Sequence, residues 1–263
     1  MIKLIALGSI IAYTVNAIYL LKQLKSPKNA PFSLVFGWLG AVLHTLYIGL
    51  LCAQNGGFSF SFSSVASLNV LGVVLVLLLT ALSKPVGKLG IVLFPLAAML
   101  LAFDVSFHMT PRLLSVHTGG MAVHIVTSVL AFSLLSVAAM QALLLVLQHN
   151  QLKKHPPSRF ILLLPSLQTM ETLLFQMIFA GVLVLSLSLG TGFLFLHDLF
   201  AQHLAHKTVL SLLAWGIFLA ILLGRKRYGW RGRVAVNWIL AGFMLLLLSY
   251  FGSKFVLELI LHH

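Results

Sequence analysis

Residues 121–159 read MAVHIVTSVLAFSLLSVAAMQALLLVLQHNQLKKHPPSR. From Met121 to Leu147 no side chain is charged, and this run exceeds the about 20 apolar residues a helix needs to cross a bilayer at about 1.5 Å per residue. Lys153, Lys154 and Arg159 follow, with His149, His155 and the pair Pro156-Pro157, so the span ends in a basic, helix-breaking loop. Apolar runs alternate with short basic segments along the whole chain. Of the seventeen Lys and Arg, only Lys3, Arg112, Lys207 and Lys254 lie outside the segments 22–31, 83–88, 149–171 and 224–233.

Composition points the same way: 60% of the residues are hydrophobic, 8% are charged, and the mean hydropathy is +1.07. A water-soluble domain of 263 residues could not hide that much apolar surface. The formal net charge of +13 is not gathered for nucleic acid, because the cations stand at the ends of spans and face anionic lipid headgroups. The single cysteine, Cys52, excludes an intramolecular disulfide and the Cys-x-x-Cys-His arrangement that tethers haem covalently.

Apolar runs bounded by charge, Pro or Gly predict an all-α, polytopic membrane protein: one transmembrane domain over residues 1–263, an eight-helix bundle. The predicted spans are 4–21, 33–53, 65–82, 88–104, 121–147, 173–196, 207–223 and 234–256. Pro95 falls inside the fourth, where a membrane helix tolerates a kink. No small-x-small cleavage site precedes Lys22, so the first span reads as a retained helix. The basic segments belong inside, which places both termini outside, together with Asp104, Asp198 and Glu258. The apolar stretch Phe160 to Leu164 in the long inner loop reads as an interfacial helix.

No nucleotide-binding glycine loop, H-E-x-x-H motif or nucleophile elbow is present. Four acids leave little for a paired-carboxylate hydrolase, and no enzymatic activity is expected. Histidine stands out instead, with eleven copies. His124 lies one turn inside the fifth span, His197 ends the sixth, and His206 begins the seventh, while His108, His117 and His203 fall in the outer loops. His44 sits near the middle of the second span, where a polar ring must be paired, coordinated or turned to an interior cavity. Two opposed neutral imidazoles can hold haem iron axially, whereas structural zinc wants four N or S ligands. A noncovalent, b-type haem at this surface would call on Arg112, Lys207 and Lys254 for its propionates and on Phe193, Phe195 and Phe200 for apolar walls. The same residues have plainer roles open to them. A helix-end histidine can cap carbonyls, Lys207 and Lys254 can snorkel to headgroups, and a loop histidine can be merely solvated.

Several stretches carry a resemblance: Thr191-Gly192-Phe193, His197-Asp198-Leu199-Phe200, Lys207 with Trp215, Gly229-Trp230-Arg231-Gly232-Arg233 and Ser249-Tyr250-Phe251-Gly252-Ser253-Lys254. With His44-Thr45-Leu46 and Gly120-Met121-Ala122-Val123-His124, the chain resembles the cytochrome c assembly family of haem-handling membrane proteins, of the CcsA and CcmC type, and most closely its HemX-like, YpjD-like branch. The resemblance implies a haem-binding protein of a bacterial inner membrane that passes haem to an apocytochrome or a membrane assembly partner. It implies His124 as the outer ligand, His197 as its partner, and His44 as serving a deeper haem or lining its path. Haem-presenting members carry a tryptophan-rich loop ending in W-D-P-K-E; here residues 196–207 read LHDLFAQHLAHK, without a tryptophan.

The expected function is therefore haem binding and handling. The alternative is a non-catalytic accessory or scaffold subunit of a transporter or biosynthetic enzyme that keeps the fold without presenting haem. A transporter is disfavoured by the lack of charged pairs inside the spans and of an internal repeat.

Overall fold

The computed structural model describes residues 1–25, 34–57, 61–107, 119–152, 166–195 and 205–252. They form helices α1 (Ile2–Lys25), α2 (Val35–Asn55), α3 (Phe62–Ala81), α4 (Gly90–Ser106), α5 (Gly119–Leu152), α6 (Leu167–Phe195), α7 (Ala205–Tyr228) and α8 (Gly232–Leu247). A 3-10 turn (Gly87–Leu89) leads into α4, and a π-helical turn (Leu248–Gly252) continues α8. No strand occurs among the described residues, and eight of their helices are long and apolar enough to cross a membrane.

Each predicted span coincides with one helix, and the ends differ for physical reasons. The 34-residue α5 runs on past Leu147 to Leu152, and α6 starts at Leu167, taking Glu171 into its second turn. Hydropathy marks the hydrocarbon-facing part of a helix, whereas backbone hydrogen bonding carries the coil into the headgroup layer. Pro95 stays inside α4. The connection from α7 to α8 is short: Gly229 (φ 65°) and Gly232 (φ 63°) take the left-handed conformation that other residues resist.

α1 to α4 pack as one compact unit and α5 to α8 as another. In the first, α1 lies against both α2 and α4, and α3 against α2 and α4. Polar side chains are set among the apolar ones of its interior. On α1 Leu4, Leu7, Ile11, Val15 and Ile18 are exposed, with Thr14 the one polar residue exposed between the end lysines, while Ser9, Tyr13 and Asn16 are fully buried. A protein in water sorts its faces the other way; lipid exerts no hydrophobic force between helices, so interhelical hydrogen bonds and small-residue contacts hold them together. Ser9 donates to the Gly40 carbonyl at 2.8 Å, the Gly37 N–H donates to Asn16 Oδ1 at 3.0 Å, and Tyr13 stacks on Phe94 at 5.8 Å between ring centroids. In the second unit α5 pairs with α6 and α8, and α7 pairs with α6 and α8. The Trp215 indole N–H donates to Ser186 Oγ at 2.8 Å, tying α7 to α6.

Candidate functional site

The second unit gathers polar groups where the start of α5 meets the end of α6. His124, half-buried on α5, has its Nδ1 2.9 Å from the backbone carbonyl of Ser188 on α6. A carbonyl can only accept, so Nδ1 carries a proton, and in the neutral form of the ring the lone pair is on Nε2. Thr191 steadies the same carbonyl, its hydroxyl donating to it at 2.9 Å, and stands 3.5 Å from Nδ1. Among the described residues nothing hydrogen-bonds Nε2. A backbone carbonyl on one ring nitrogen and an open lone pair on the other is the arrangement that orients metal-ligating histidines.

One turn deeper, Ser128 and Ser188 hydroxyls lie 2.6 Å apart, and the Tyr250 hydroxyl reaches Ser128 from the π-helical turn. Ser249 in that turn is 2.7 Å from Ser211 and donates to the Lys207 carbonyl at 2.8 Å, which fixes the start of α7. Phe195 packs against Gly120: a Cβ there would collide with its ring, so only glycine lets that ring lie across the first turn of α5. Phe193 and Phe195 are each about half exposed.

The first unit holds a different arrangement. His44 on α2 is completely buried, with Nε2 2.9 Å from Ser67 Oγ on α3 and Nδ1 3.4 Å from the Tyr13 hydroxyl on α1. Both ring nitrogens are thus committed to neighbouring helices. One turn along α2, Tyr47 donates to Asp104 Oδ2 at 3.2 Å, and Ser64 donates to Asp104 Oδ1 at 3.1 Å. Ser64 in turn receives a hydrogen bond from Ser61, which caps α3 by accepting the Ser64 N–H at 3.3 Å. The carboxylate therefore rests at the positive end of the α3 dipole with two hydroxyl donors, the setting that makes a buried charge tolerable. Beside it lies a cavity of about 10 Å³, at the lower limit for one water, lined by Asp104, Ser64, Cys52 and Asn55.

Of the predicted site residues, His124, His44 and Lys207 are described, and His197, Arg112 and Lys254 lie outside the described residues, as do His108, His117, His203, Phe200 and the stretch from Phe160 to Leu164. His124 in the second unit and His44 in the first each have their own hydrogen-bond partners. Lys207 is half-buried in the first turn of α7. Among the described residues no three His, Cys, Asp or Glu gather as a bare metal ion would require. Asp104 escaped the sequence reading as a site residue; that reading set it at the outer end of the fourth span. The structure carries α4 on to Ser106 and leaves Asp104 only 5% exposed. The available signal was the spacing of His44 and Tyr47, three apart and so on one helix face, together with the serines at 61, 63, 64 and 67.

Residues 29–261 match the model of the family described as cytochrome C assembly protein. The chain belongs to the cytochrome c assembly family. His44, His124 and Asp104 fall within the matched residues, while Tyr13, the α1 partner of His44, precedes them. Among curated proteins it is 39% identical over 143 residues to the inner membrane protein YpjD of Escherichia coli strain K12, covering 54% of each chain. The YpjD of Escherichia coli O157:H7 matches to the same extent. An uncharacterized 28.8 kDa protein in a nifR3-like 5' region of Azospirillum brasilense is 31% identical over 190 residues, covering 70% of this chain and 69% of its own. The alignment thus spans about half the length of the YpjD relatives. No solved structure matches. With its eight candidate spans, this member of the cytochrome c assembly family is a multi-pass membrane protein.

Proposed function

We propose that this protein of the bacterial inner membrane binds and hands on haem, holding a noncovalent, b-type haem by axial histidine ligation near its outer face. Family membership supports haem handling in coarse outline, and the alternation of basic segments supports an outward-facing start of α5. The observation that carries the finer reading is His124. Its Nδ1–H is spent on the Ser188 carbonyl, so Nε2 is presented as a neutral donor that a porphyrin iron accepts. His197 is the proposed second ligand, Arg112, Lys207 and Lys254 the proposed propionate partners, and Phe193 and Phe195 supply apolar wall. His44 differs: ligation there would require Ser67 or Tyr13 to release it. Bound haem would supply a redox-active iron, and this chain's residues would orient it and exclude water until an apocytochrome or assembly partner competes for it. Binding and release of this kind need no catalytic group, so the protein is proposed not to be an enzyme.

An absorption spectrum of the purified chain tests the reading. A Soret band that His124→Gly removes and added imidazole restores supports ligation by Nε2; an unchanged band in the variant overturns it. The absence of tryptophan from residues 196–207 favours a second reading, an accessory subunit that keeps the fold and loads no haem. That protein would show no Soret band after reconstitution with haem.

A further inference from the structure

At the end of α7 the second unit carries a cationic turn above an apolar groove, and neither is used by the haem reading. Arg225, Lys226, Arg227, Arg231 and Arg233 lie within nine positions, and Glu171 is the one acid described at this end. Glu171 is 3.8 Å from Arg225, whose guanidinium also sits 3.7 Å over the Phe175 ring, and Arg233 donates to Asn150 Oδ1 at 2.6 Å. Lys226, Arg227 and Arg231 are exposed and have no ion-pair partner among the described residues. Below them, between α7 and α8, lies a groove of about 300 Å³ walled by Leu212, Ala220, Trp230 and Trp238. Gly216 opens its middle: a Cβ there would meet nothing within 4 Å. Trp230 folds back over Gly224, so the charged turn closes the groove's upper end.

The dimensions match a lipid. From Gly224 to Leu212 the helix covers about 18 Å at about 1.5 Å per residue, close to the roughly 15 Å depth of one hydrocarbon leaflet. Trp238 and Leu213 at the rim are about half exposed, so the groove opens outward from the unit. Arginines recognise phosphate bidentately, and an excess of cations next to an apolar slot selects a headgroup with net negative charge. We infer that this groove is a binding site for an anionic phospholipid, with an acyl chain lying between α7 and α8 and the phosphate held by Arg227 and Arg231. A zwitterionic lipid offers the same chain and a weaker head.

Native mass spectrometry of the full chain with phosphatidylglycerol or phosphatidylcholine of matched acyl chains tests this. The wild type should retain phosphatidylglycerol at least about tenfold better, a difference of about 1.4 kcal/mol. Gly216→Phe, which fills open space, should reduce retention of both lipids; Arg227→Gln with Arg231→Gln should erase the preference, lowering phosphatidylglycerol retention more than phosphatidylcholine retention. Circular dichroism checks that the glycine variant folds, and the arginine pair reads the headgroup half without touching the groove. Equal retention of the two lipids by the wild type, unchanged retention in Gly216→Phe, or a lipid-free dimer that covers the groove would each overturn the assignment.

Discussion

Removing the Asp104 carboxylate and the Tyr47 hydroxyl, singly and together, measures how the first unit tolerates a buried acid. Tyr47 is 2% exposed and Asp104 5%, and they meet at 3.2 Å. Asp104→Leu alone carries opposing terms: it strips acceptors from Tyr47 and Ser64, and it also removes a charge that was costly to bury. Its net effect is thus a poor measure of the hydrogen bond. The coupling is cleaner. Interhelical hydrogen bonds in membrane proteins contribute about 0.6 kcal/mol on average and about 1.7 at most, and an ionised acceptor in a buried site belongs in the upper half of that range. Tyr47→Phe should therefore cost about 1–1.5 kcal/mol in the wild-type background and almost nothing after Asp104→Leu. Equilibrium unfolding of the four proteins in mixed micelles gives the cycle. Losses that add within about 0.5 kcal/mol, as they do for independent sites, would refute the idea that the hydroxyl holds the carboxylate.

Three further outcomes follow from the same geometry. Ser188→Ala should lower stability by about 1 kcal/mol through its 2.6 Å partner Ser128 yet leave haem content unchanged, because His124 is held by the Ser188 carbonyl; pyridine haemochrome assay and thermal melting read the two effects separately. Gly120→Leu should cost about 1–3 kcal/mol as the Phe195 ring is displaced, whereas Gly190→Ala, with open space around it inside α6, should not lower the melting temperature. Glu171→Gln should cost less than about 1 kcal/mol, since the pair with Arg225 is partly exposed and long at 3.8 Å; added salt should change the melting of the variant less than that of the wild type.

The eight helices were legible because a bilayer-crossing helix must be apolar along its whole length, and no other fold needs such runs between basic loops. Which face of each helix points inward was not legible. Leu7 and Leu20 differ in no property that hydropathy sees, yet one is 51% exposed and the other 4%. In a membrane the interior betrays itself by its polar residues instead: Ser9, Tyr13 and Asn16 recur at helical spacing on the buried face of α1. The same rule would have drawn Asp104 inward, had its hydroxyl partners on α2 and α3 been assigned to one cluster.

The two histidines show where residue type stops informing. His44 and His124 differ in sequence by their depth, one near the middle of its span and the other one turn inside its end, and depth alone does not tell a ligand from a structural ring. What separates them is the partner of the second ring nitrogen, supplied by helices distant in sequence: Tyr13 on α1 and Ser67 on α3 occupy both nitrogens of His44, while the Ser188 carbonyl on α6 occupies one of His124 and leaves the other open. A carbonyl is present at every residue and has no sequence signature. That distinction predicts opposite consequences for the conservative change His→Gln. At position 44 the glutamine amide can still bond both neighbours, so stability should fall by less than about 1.5 kcal/mol. At position 124 an amide satisfies the carbonyl but offers no imidazole lone pair, so the fold should survive and the Soret band should not. If His124→Gln retained the band while His44→Gln lost it, the assignment of ligand and structural histidine would be reversed.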